Sequence, residues 1–68
     1  MTIMEVTAKM EKIGAVEKAE IGKRVFIFVK DGKKATELIT MLAPYKVKNV
    51  IGGAVYHVKG KVMELYYE

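Results

Sequence analysis

Arg24, Phe26, Phe28 and Lys30 take alternate positions in the stretch GKRVFIFVKDGKK, Gly22 to Lys34. Successive side chains of an extended strand point to opposite faces, so these four share one face and Val25, Ile27 and Val29 share the other. Two aromatic rings bracketed by two cations suit a ligand that is planar and negatively charged, because rings stack on flat groups and cations pair with phosphate. The competing arrangement turns Phe26 and Phe28 inward as core. Cations rarely point into a core, so Arg24 and Lys30 favour the exposed orientation.

Little else in the chain offers chemistry. His57 is the only histidine and Asp31 the only aspartate, and there is no cysteine or serine, so no ordinary nucleophile–base pair can be assembled. His57 reads as a strand-surface residue, and a metal site lacks partners of the right type. Gly52–Gly53 lacks the following lysine of a phosphate loop and reads as a bend or bulge in a strand. The expectation is a protein that is not an enzyme and that carries neither cofactor nor metal.

Sixty-eight residues, 51% apolar and 29% charged, make one small globular domain spanning 1–68. A chain this short buries only about 60% of its unfolded surface, and it has no disulfide to compensate. Tight packing, a closed sheet or association with another chain must supply the stability. The longest apolar run, Val25 to Val29, is too short to cross a bilayer, and Glu5 stands where a signal peptide would be basic. A cytoplasmic location without membrane contact is therefore expected. The absence of Gln and Ser beside many Lys and Glu resembles thermophile composition. The net charge of +4 is concentrated in residues 23–61, where nine cations face only Asp31 and Glu37. Such an excess attracts polyanions, or else forms a solvated lysine-rich exterior.

The elements that would position these residues follow from periodicity. Met4, Val6, Ala8 and Met10 alternate with polar residues, and with β-branched neighbours they favour a strand over 4–11, although Ile3, Val6, Met10 and Ile13 also fit a helix. A second strand spans Ala15 to Ile21, and "IGKR" turns into the third, Arg24 to Lys30. Asp31 is a candidate N-cap for the one firmly indicated helix, in which Ala35, Leu38, Ile39 and Leu42 form the apolar stripe and which Pro44 stops. Strand signals return in "VKNVI", "AVYHV" and, after the turn "KGK", "VMELYYE".

The resulting order, β-β-β-α-β-β, is that of the OB-fold, a small five-stranded Greek-key barrel. "VTAKMEKIG" at 6–14 and "GGAVYHVKGKVMELYY" at 52–67 resemble the first strand and last hairpin of archaeal single-stranded nucleic-acid-binding OB domains. The resemblance implies a mainly-β barrel with one helix that binds single-stranded DNA or RNA with little sequence preference. It also implies that the outer face of the second and third strands and the last hairpin loop form the binding surface. On this chain that surface comprises Phe26 and Phe28 with Arg24 and Lys30, a rim of Lys23, Lys33, Lys34, Lys59 and Lys61, and Tyr56 as a third ring if it faces outward. Tyr66 and Tyr67 are adjacent and must face opposite ways. The alternative is a protein-interaction module, or a small subunit of a larger assembly, that uses the same patch as a monomer or homodimer.

Overall fold

A computed structural model of the chain describes residues 2–68. Its first element is a helix, α1 (Ile3–Lys12), and not the strand expected over 4–11. Ile3, Val6, Thr7 and Met10 recur at helical spacing and are all buried. The buried Thr7 hydroxyl donates to the Ile3 carbonyl at 2.8 Å, so no polar group is stranded. A capping box sets the start: the Glu5 N–H donates to Thr2 Oγ1 at 3.1 Å, and Glu5 Oε1 accepts from the Thr2 N–H at 2.9 Å. These bonds from Thr2, its backbone N–H foremost, hold the Glu5 carboxyl below its usual range.

Two strands follow, β1 (Val16–Ile21) and β2 (Arg24–Val29), joined by the two-residue turn Gly22–Lys23. Gly22 has φ +60°, the left-handed value that the first central residue of such a hairpin turn requires. After β2, Asp31 Oδ1 accepts the N–H groups of Lys33 and Lys34 at 3.1 and 3.2 Å. The carboxylate thus holds the turn that leads into α2 (Thr36–Leu42), whose own N-cap is Ala35. Pro44 sits in a short 3-10 turn, Ala43–Tyr45, and the helix stops before it. The chain ends in β3 (Lys46–Val50), β4 (Gly53–Val58) and β5 (Lys61–Tyr67).

The five strands form one mixed sheet in the order β1-β2-β5-β4-β3, in which β2 and β5 run parallel and the other pairs antiparallel. The sheet is open, with β1 and β3 as its edges. The mainly-β, five-stranded expectation therefore holds, while the β-β-β-α-β-β order and barrel closure do not. The reason lies in α1: with two helices available, one sheet face can be covered directly and need not curl onto itself. Val25, Ile27 and Val29 of β2, Met63 and Leu65 of β5 and Ala54, Tyr56 and Val58 of β4 alternate onto the covered face. There they form one buried cluster with Val6 and Met10 of α1 and Leu38 and Leu42 of α2.

Candidate functional site

Among the described residues no helix covers the other face of the sheet, and strand register decides what it displays. Directly opposed residues share a face. One row runs Glu17–Phe28–Tyr66–Gly53, the next Ala19–Phe26–Glu64–Val55, and the third Ile21–Arg24–Val62–His57. Phe26 and Phe28 thus lie on the opposite side of β2 from its buried valines and isoleucine. Phe28 is 39% exposed, and Phe26 and Tyr66 are half-buried.

The rings of Phe28 and Tyr66 stack, with centroids 6.0 Å apart and planes inclined by 23°, within the offset range that aromatic quadrupoles prefer. Glu64 anchors the second row. It accepts a hydrogen bond from Arg24 Nη1 at 2.9 Å and another from the Tyr66 hydroxyl at 2.5 Å. The bond to Glu64 raises the Tyr66 phenol above its ordinary value, and burial adds to the effect. Lys30 donates to Glu68 at 2.6 Å and stands 3.7 Å from Glu17. The Glu68 bond raises the ammonium above its ordinary value. Both cations that flank the rings are therefore held by carboxylates. A phosphate arriving there must displace Glu64 or Glu68, or share its cation with it.

The remaining expected site residues divide. Lys23 lies in the β1–β2 turn beside Arg24, where its carbonyl accepts the Val62 N–H at 3.0 Å. Lys33 and Lys34 lie beyond the other end of β2, near Lys30, and are exposed. Tyr56 does not join the platform: it lies opposite Met63 on the helix-covered face and is 4% exposed. Burial raises its phenol as well. Lys59 and Lys61 also leave the site. They border a cleft of about 470 Å³ on the helix side, lined by Ile3, Met4, Met41, Tyr45 and Met63. Lys61 opposes Val58, a core-face residue, and this register sends it away from the rings.

Two members of the open face escape the sequence pattern. Tyr66 takes the place foreseen for Tyr56, and only the parallel pairing of β5 with β2 places it beside Phe28. Lys48 lies opposite Val55 on the open face, whereas Lys46 lies opposite Tyr56 on the covered one. Strict alternation would put both lysines on one side; a bulge between them parts them. Arg24, Lys48, His57 and Glu64 thereby surround a shallow depression of about 280 Å³ floored by Val50, Val55 and Val62. Among the described residues, Lys23 and Lys48 form no ion pair.

Among the described residues, no group of His, Asp and Glu stands close enough to hold a metal ion. No helix of the described residues is long and apolar enough to cross a membrane. No family model, curated protein or solved structure matches the chain.

Proposed function

We propose that the uncovered sheet face binds single-stranded nucleic acid, with bases stacked on Phe28, Tyr66 and Phe26 and phosphates met by Lys23, Lys48 and Arg24. The observation that carries this reading is the placement of three aromatic residues on adjacent central strands of the one face no helix covers. Sheet faces of this kind read unpaired bases by stacking, which is worth about 1–3 kcal/mol per base and tolerates any sequence. Carboxylates already hold Arg24 and Lys30, so few phosphate contacts remain and stacking carries most of the affinity.

The test is a fluorescence-anisotropy titration with short labelled single strands at several salt concentrations. With two or three phosphate contacts, the log–log salt slope should be roughly −1.5 to −2. Phe28→Ala should weaken binding about tenfold or more while leaving the melting profile intact. Failure of every oligonucleotide to bind at low salt would refute the reading.

The ion pairs themselves favour a second reading. A face whose charges are already neutralised is also a good contact for another protein, through Phe28, Val62 and Ile21. Such a contact would be nearly insensitive to salt, and the same titration separates the two.

A further inference from the structure

We infer that β1 is the self-association edge of this protein, and that two copies join through antiparallel β1 strands centred on Ala19 to make one ten-stranded sheet. The inference rests on the backbone and charge pattern of the edge and not on the nucleic-acid reading.

The two edges of the sheet differ. β3 carries a bulge between Lys46 and Lys48 and presents lysine to both sides, devices that discourage strand addition. β1 lacks the bulge, and its charges are of both signs, Lys18 beside Glu17 and Glu20: its register with β2 is unbroken from Val16↔Val29 to Ile21↔Arg24, without proline or glycine. The parity of its hydrogen bonds can be read directly. Ile21↔Arg24 closes a two-residue hairpin, and the Ala15 carbonyl accepts the Lys30 N–H at 2.8 Å. Odd-numbered residues of β1 therefore bond to β2, and Val16, Lys18 and Glu20 direct their N–H and C=O groups outward.

An antiparallel partner must match outward groups with outward groups, which limits a symmetric β1–β1 pair to a two-fold axis passing through a residue. Centring on Lys18 sets lysine against lysine. Centring on Ala19 sets Lys18 against Glu20 of the second copy, and Glu20 against its Lys18. In the single chain Lys18 and Glu20 reach only each other, at 3.8 Å along the same strand. The Ala19 register also lays Glu17 across Ile21 of the second copy, covering a side chain that is 69% exposed. Charge thus selects one register among those the backbone permits.

The open faces of the two copies would then be continuous. Phe26 lies opposite Ala19, so a single row would run Phe26, Ala19, Ala19 of the second copy, Phe26 of the second copy. The two Phe26 positions would stand about 14 Å apart, three strand spacings, above a floor of two alanines.

The decisive experiment uses sedimentation equilibrium on the full chain and two charge variants. Wild type should dimerise, and Lys18→Glu and Glu20→Lys should each weaken the dimer about tenfold. An equimolar mixture of the two variants should recover dimer, because each supplies the charges the other lacks. The bond between residues 18 and 20 within one chain is absent from both variants, so it cannot account for recovery. The chain has no cysteine, so a single introduced thiol reports register cleanly: Ala19→Cys should cross-link under mild oxidation, its Cα atoms about 4.5 Å apart across the axis. A wild type that stays monomeric at every concentration, a mixture that stays monomeric, or cross-linking through Lys48→Cys in place of Ala19→Cys would each overturn the inference.

Discussion

The two faces of β2 are built from similar residues and have different fates. Val25, Ile27 and Val29 are buried against the helices, while Phe26 and Phe28, as apolar as they are, face outward on the uncovered side. Hydrophobicity alone does not separate these faces. The separation comes from what lies above each: α1 and α2 on one side, and on the other side chains of the sheet itself, among them Glu64, Tyr66 and Lys30. An apolar face left uncovered in so small a protein costs solubility and gains nothing in stability, so it is the face to which function is assigned.

The largest contrast should appear in stability. Ile27→Ala, deep in the covered face, should cost about 2–5 kcal/mol, because a buried methyl-rich side chain leaves a cavity. Phe28→Ala should cost under about 1 kcal/mol and act on binding. Urea unfolding of both variants checks the pair, and equal losses would show the open face to be core after all. One residue on the open face breaks the pattern. A Cβ placed on Gly53 would come within 2.9 Å of the Leu65 carbonyl carbon and collide with its oxygen. Both are backbone atoms of the neighbouring strand and cannot give way without disturbing the β4–β5 ladder. Gly53→Ala should therefore behave like a core variant, losing about 3 kcal/mol or more.

A smaller effect tests the cover itself. Thr2→Ala removes the capping hydroxyl of α1 and should cost about 1 kcal/mol in thermal or urea unfolding. Glu5 reports the same contact through pH. Its carboxyl is held below the ordinary value by Thr2, so its contribution is complete above the unfolded value and is lost as pH falls through the lowered one. The wild type should lose helical signal in that acidic window, and Thr2→Ala should lose part of this dependence.

This cap also explains what the sequence misled. Thr2-Ile3-Met4-Glu5 is a capping-box pattern ahead of apolar residues spaced 3, 6, 10, which is sufficient to indicate α1. The β-branched residues and the alternation from Met4 to Met10 favour a strand over the helical spacing of Ile3, Val6, Met10 and Ile13, and a strand in that place makes the chain look like a barrel. By contrast, the β2 faces, the turn at Gly22, the Pro44 stop and the hairpin before β5 all follow from local rules and stand as read. The site was readable only as far as one strand extends. Which ring stands beside Phe28 depends on β5 pairing with β2 across 38 residues of chain, and the separation of Lys46 from Lys48 depends on a bulge. Neither is a local property, so Tyr66 and Lys48 could be found only in the folded sheet.

The finest probe of the open face is the Tyr66 phenol. Its raised value comes first from the hydrogen bond to Glu64 and then from burial. The neutral phenol is thus favoured by the fold. Its contribution is complete below the ordinary tyrosine value near 10 and disappears as pH rises through the raised one. In a spectrophotometric titration, Tyr66→Phe should remove a component that ionises late, and Glu64→Gln should move that component back toward the ordinary value. Glu64→Gln also releases Arg24, whose guanidinium then has no carboxylate acceptor at 2.9 Å. If the face receives phosphate, this one substitution should tighten single-strand binding and steepen its salt dependence even as it loosens the Tyr66 ring. If the face receives protein, the released charge should weaken the contact, because an unpaired cation must then be desolvated. The direction of that single change tells the two uses of the face apart.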